Sequence, residues 1–192
     1  MTALVVYTRG IIETVIFFTS ILLHEAFHIL ISACFGFEIK SFGIGAFGFK
    51  FGCEALPPSG LRGSLIYLAG PLANLSLAFL TGFINYYAEM PMSQFIIFYN
   101  LILFAVNMIP AYPMDAARAL TSALSKYMGN LKAVRIVSTL SYMVSALLFT
   151  AGVIAALTNG NLVLAMLSVV IALNTKKEKS FSVMNYLKNI KI

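Results

Sequence analysis

The chain has 192 residues, 60% of them hydrophobic and only 10% charged, with a mean hydropathy of +0.90. A water-soluble domain of this size needs far more charge to cover its surface, so the composition excludes that class in favour of a membrane-integrated protein. The net charge of +6 would suggest nucleic acid in a soluble chain, but the placement of the basic residues accounts for it otherwise.

Five apolar stretches, at about 10–35, 63–88, 94–112, 135–157 and 160–175, approach the roughly 20 residues that cross a ~30 Å hydrocarbon core, the fifth being short. The opening MTALVVYT lacks a basic region, and the apolar run after Arg9 does not end in a small-residue cleavage site. The first span is therefore expected to be retained and not removed as a signal peptide. Residues 36–62 are too glycine-rich for a helix and too apolar for an ordinary loop. Phe47, Phe49, Phe51 and Cys53 alternate with Gly48, Lys50, Gly52 and Glu54 until Pro57-Pro58, which is a strand period. This segment is expected to form a β-hairpin or re-entrant loop dipping into the cytoplasmic leaflet. In the third span the apolar run Phe95–Val106 gives way to NMIPAYPMDAARAL, where Pro110 and Pro113 remove amide donors and disfavour helix before them. Unwound backbone at membrane depth persists only when buried in protein or lining a wet cavity. Residues 107–115 thus read as a cavity wall, followed by a short helix from about Ala116 to Lys126.

The expected architecture is an all-α polytopic membrane protein of about five transmembrane helices. It forms one embedded domain over 1–192, with C-terminal spans at 135–175 and a cytoplasmic tail at 176–192. Lys40, Lys50 and Arg62 follow the first span, and Arg118, Lys126, Lys132 and Arg135 follow the third. Lys176, Lys177, Lys179, Lys188 and Lys191 follow the fifth, and only Arg9 precedes the first. The positive-inside rule then places the N-terminus outside and the C-terminus in the cytoplasm, leaving no basic surface for nucleic acid. Cys34 and Cys53 fall near the cytoplasmic side, where a disulfide is not expected, and both read as small buried apolar residues.

The sequence has two histidines, and both lie in His24-Glu25-Ala26-Phe27-His28, inside the helical stretch ILLHEAFHILI. Four residues turn about 400°, so both rings project from one face, ~6 Å apart along the axis. That spacing suits a single zinc ion, with Glu25 about 100° round the helix as general base toward a zinc-activated water. Three ionisable residues at membrane depth would cost several kcal/mol unless they served a site or were paired, and a purely structural role would need hydrogen-bond partners for all three. A catalytic zinc takes three protein ligands and an open position. Without a third histidine the remaining ligand must be a carboxylate or cysteine. Asp115, just after the broken third span, is the strongest candidate, although it also suits the N-cap of the helix that follows. Glu54 is a weaker rival, and Glu13 and Glu89 lie near the opposite side. A zinc transporter would show polar residues along several spans, whereas here they cluster at one depth.

H-E-x-x-H in one span, Gly70-Pro71-x-x-Asn74 in the next and N-x-x-P-x-x-P-x-D at 107–115 resemble the site-2 protease family of intramembrane zinc metalloproteases. The run FYNLILFAVNMIPAYPMDAARAL most resembles the stage IV sporulation protein FB group. Specific motifs cover about residues 15–125. The resemblance implies Zn2+ bound by His24, His28 and Asp115, with Glu25 as the catalytic carboxylate. It also implies that Asn74 and Asn107 position a loop or the substrate, with inter-helix hydrogen bonding as the alternative role for both. The implied activity is hydrolysis of a membrane-tethered protein within or near the cytoplasmic leaflet of a bacterial membrane, under the control of regulatory membrane proteins. A catalytically inactive homologue, or a zinc-binding or zinc-transporting membrane protein, is the alternative reading; the inactive form would be expected to lose Glu25. The chain departs from the family at Phe27 and at Ala116-Ala117, where glycines are usual. It leaves no room for the nucleotide-binding CBS domain of sporulation members, so ATP control is not expected.

Overall fold

The computed structural model describes residues 2–37, 39–45, 48–53 and 59–190. In chain order the elements are α1 (Thr2–Cys34), β1 (Ile39–Gly45), β2 (Gly48–Cys53), α2 (Leu61–Tyr87), α3 (Ser93–Asn107), α4 (Asp115–Met128), α5 (Asn130–Asn159) and α6 (Val163–Ile190). Three described helices are long and apolar enough to cross a membrane: Gly10–Cys34 within α1, α2, and α5. At 1.5 Å per residue, the 25 residues from Gly10 to Cys34 reach about 37 Å, enough for a tilted crossing.

The third and fifth expected spans are not among these three. The third ends at Asn107, not 112, leaving an apolar helix of 15 residues; Pro110 and Pro113 account for the stop. The short fifth stretch is the first part of a helix of 28 residues that runs on through Lys176, Lys177 and Lys179. Nothing in those residues breaks a helix.

Burial follows membrane logic. Asn74 and Asn100 are 1% and 0% exposed, while Phe79 is 71% and Phe83 63% exposed. Lipid solvates apolar side chains and cannot hydrogen-bond polar ones, so amides and hydroxyls turn inward and find partners there.

The described chain divides into two compact units, Met1–Leu56 with Leu68–Asn107, and Pro57–Tyr67 with Met108–Ile192. In the first, α1 packs on α3, with Phe17 and Tyr99 rings 5.5 Å apart. β1 and β2 pair antiparallel, Phe42 opposite Phe51 and Ile44 opposite Phe49, with an irregularity between Ile39 and Ser41. The expected alternation over 47–54 lies partly outside the described residues, at Phe47 and Glu54, as does Pro57-Pro58. Cys34, expected to be buried, is exposed at the last turn of α1.

In the second unit the start of α2 is pinned to α4. The Gly60 amide donates to Ser122 O at 2.7 Å, Ser122 Oγ donates to Gly60 O at 3.1 Å, and Ser64 Oγ donates to Ala119 O at 2.8 Å. Residues 108–114 are irregular, as Pro110 and Pro113 dictate. Their backbone is partly satisfied from within and from α5: the Met114 amide donates to Ala111 O at 3.0 Å, and the Tyr112 amide to Ser141 Oγ at 3.1 Å. Tyr112, Ala117 and Val137 form the core here, with Leu120 and Leu124 against them. α5 and α6 approach closely at Gly152, where a Cβ would stand 2.4 Å from the Ala165 amide nitrogen, and Ser145 Oγ donates to Ser168 O at 2.8 Å. Small residues and hydroxyls at such seams let helix backbones meet without a hydrophobic drive.

Candidate metal centre

α1 carries both imidazoles on one face, as a spacing of four requires. Their Nε2 atoms are 3.2 Å apart, and the ring planes meet at 80° with centroids 4.8 Å apart. Two nitrogens each about 2.0–2.1 Å from a tetrahedral zinc stand about 3.3 Å apart, so the pair is spaced as ligands of one ion. Both face Gly70 of α2. A Cβ there would lie 2.4 Å from His28 Nε2 and 2.6 Å from His24 Nε2, so only glycine leaves room beside the nitrogens.

One turn further along α2, Asn74 takes the other side of the first ring, its Oδ1 2.5 Å from His24 Nδ1. An amide oxygen only accepts, so Nδ1 is the donor, and in the neutral ring Nε2 then carries the lone pair. The Gly70-x-x-x-Asn74 spacing thus has a physical meaning. The glycine opens α2 to the Nε2 atoms, and the asparagine orients the ring from behind. Asn74 Nδ2 donates to Asn100 Oδ1 at 2.7 Å and to Ser20 O at 3.4 Å. Asn100 Nδ2 in turn donates to Ser20 Oγ at 2.9 Å and to Ile96 O at 2.8 Å.

The other candidate residues are placed as follows. Glu25 is half-buried on α1, one residue and about 100° from His24. Asp115 is the first residue of α4, in the second unit, and is 9% exposed. It is not the N-cap that its sequence position suggests: Met114 holds that place, in extended geometry and with no side-chain capping bond. A carboxylate in the first turn remains favourable to the helix dipole. Asn107 donates to Leu103 O of its own helix at 3.0 Å, a bond that serves α3 and not the histidines. Glu54 lies outside the described residues. Sequence reasoning missed Asn100 and Ser20; the available signal was a lone amide within the apolar run FYNLILF, since an intramembrane polar group needs a partner.

No family profile matches the chain. It is 27% identical over 184 residues to a zinc metalloprotease of Methanocaldococcus jannaschii, covering 92% of this chain and 52% of that protein. It is 29% identical over 126 residues to a Synechocystis protein provisionally named a zinc metalloprotease, covering 63% of this chain and 33% of the other. The chain therefore spans about half the length of the first relative and a third of the second. Among solved structures, the site-2 protease of Methanocaldococcus jannaschii superposes with a TM-score of 0.68 at 24% identity, over 86% of this chain and 76% of that one. With its three apolar helices and this likeness, the chain is an integral membrane protein with the fold of a site-2 protease.

Proposed function

We propose that the protein is an intramembrane zinc metalloendopeptidase in which His24, His28 and Asp115 hold the metal and Glu25 is the general base. The observation that carries the reading is the pair of Nε2 atoms 3.2 Å apart beside Gly70, spaced as zinc ligands and oriented through Asn74. Two imidazoles and one carboxylate are a common set for a hydrolytic zinc, and the names of the relatives agree with it.

Zinc, when bound, supplies Lewis acidity to the scissile carbonyl and brings a water toward a pKa of about 7. The chain's own residues do the rest. The Glu25 carboxylate takes a proton from the attacking water as its oxygen bonds to the carbonyl carbon. It then delivers that proton to the amide nitrogen as the C–N bond breaks. His24, held by Asn74, keeps its Nε2 lone pair available throughout.

The substrate class that fits is a membrane-tethered protein cut near the cytoplasmic leaflet of a bacterial membrane. The β1–β2 ribbon offers an edge to a substrate segment that must unwind before hydrolysis. In this reading residues 1–192 act as one protease domain of five spans, α3 and the apolar part of α6 completing the set, with the C-terminus cytoplasmic. The stage IV sporulation subtype rests on the run from Phe98 to Leu120. Asn107 is assigned to loop positioning at the end of α3.

Glu25→Gln tests the proposal in a reconstituted cleavage assay with a tethered reporter. Turnover is expected to fall by roughly 10²–10⁴ while bound zinc stays near one per chain. Unchanged turnover would remove Glu25 from the mechanism. Zinc bound without turnover by the unmodified protein on any tethered substrate would favour an inactive homologue.

A further inference from the structure

Behind His24 runs a line of buried polar groups whose direction is set at its far end. Asn100 of α3 is 0% exposed, and its Nδ2 faces Ile96 O at 2.8 Å. A backbone carbonyl can only accept, so the amide nitrogen must take that side and the oxygen must face α2. Asn100 Oδ1 therefore meets Asn74 at 2.7 Å as an acceptor, and Asn74 must answer with its nitrogen. The Ser20 carbonyl, 3.4 Å from the same nitrogen, makes the same demand. Asn74 is then left with its oxygen toward His24 Nδ1, which must be the protonated nitrogen. Ser20 steadies the far end: its hydroxyl donates to Ile16 O at 2.9 Å and accepts from Asn100 Nδ2 at 2.9 Å. Each amide could face either way by shape alone, and fixed carbonyls decide the sense of the whole line.

We propose that Asn100, supported by Ser20, is a positioning residue that selects the Nδ1–H tautomer of His24 through Asn74 and so leaves Nε2 unprotonated toward the metal. This rests on the zinc reading above for its purpose, though the tautomer itself does not depend on it. Without Asn100, Asn74 retains only the longer bond to Ser20 O and can turn its nitrogen to His24. The ring would then protonate on Nε2, the atom a cation needs bare. Amide hydrogen bonds of this kind are strong where no water competes, so the choice between the two senses is a sharp one.

The protein has only two histidines, so histidine ¹⁵N labelling of the full chain in detergent gives two assignable rings. At a pH where both are neutral, the zinc-free protein is expected to show His24 with a protonated, pyrrole-type Nδ1 and a pyridine-type Nε2. Asn100→Leu is expected to bring in the Nε2–H form and to weaken zinc binding, measured by chelator competition, by about 10–100-fold. Asn100→Val, smaller and without any hydrogen-bonding group, is expected to release the tautomer likewise, which covers a folding failure of the leucine variant. A carboxylate has no wrong way round, so Asn74→Asp combined with Asn100→Leu is expected to recover both the tautomer and most of the zinc affinity. A purely structural role for Asn100 would not be rescued at position 74. Native tautomer and native zinc affinity in Asn100→Leu or Asn100→Val would overturn the proposal. Absence of zinc binding by the unmodified protein, with the tautomer responding as described, would overturn the metal reading and leave the relay standing.

Discussion

Gly70→Ala puts the metal centre to a test in which stability and metal binding should move apart. The added Cβ would sit 2.4 Å from His28 Nε2 and 2.6 Å from His24 Nε2, and ordinary contact begins at 3.4 Å. The rings must retreat by about 1.0 and 0.8 Å, against a tolerance of about 0.2 Å for a metal–ligand distance. If the rings were forced to stay, overpacking would cost about 1–3 kcal/mol, or roughly 5- to 150-fold in zinc affinity. Imidazoles can swing away, so the helix need not suffer, and exchanging a helical glycine for alanine favours α2 by about 1 kcal/mol. The expected result is unchanged helix content and thermal unfolding in detergent, with zinc content and chelator-competition affinity sharply reduced. Full zinc content at native affinity in Gly70→Ala would refute the placement of the Nε2 atoms as ligands beside α2.

Asp115→Asn should lower zinc affinity with the fold intact, since a neutral amide is a poorer ligand for a cation; equal zinc content after dialysis against a weak chelator would exclude Asp115 as a ligand. Gly152→Ala should behave oppositely to Gly70→Ala. Its Cβ meets the backbone of Ala165 at 2.4 Å (N) and 2.8 Å (Cα), which cannot swing aside, so unfolding in detergent should come about 1–3 kcal/mol sooner with zinc affinity retained. A reporter after Ile192 should read cytoplasmic and a tag before Met1 external, from the one-sided placement of Lys and Arg; both ends on one side would refute the five-span count.

Several features were legible before any fold was known because they are local. Helix geometry converts His24-x-x-x-His28 into two rings on one face, and the 3.2 Å between their nitrogens is that geometry realised. Pro110 and Pro113 end α3 wherever the helix sits, through the amides they lack. Other features were misread for want of surroundings. Cys34 was expected to be buried because cysteine packs as a small apolar residue, yet the last turn of α1 leaves it exposed. Asp115 has the composition of a cap, but whether a residue caps depends on the backbone before it, and Met114 takes the extended geometry.

By itself, then, the sequence determined that the chain enters a membrane and that one helix presents a histidine pair with a carboxylate beside it. Composition and periodicity carry those statements, since lipid excludes charge and a helix repeats every 3.6 residues whatever packs against it. Only the tertiary structure decided what stands around the pair. Gly70 must be bare because two nitrogens from another helix occupy its Cβ position. Asn74 faces His24 in a particular sense because Asn100, 26 residues away in sequence, has its amide fixed by Ile96 O. Such choices belong to atoms brought together from α1, α2 and α3, and a hydrogen-bond direction has no existence until its partner is in place.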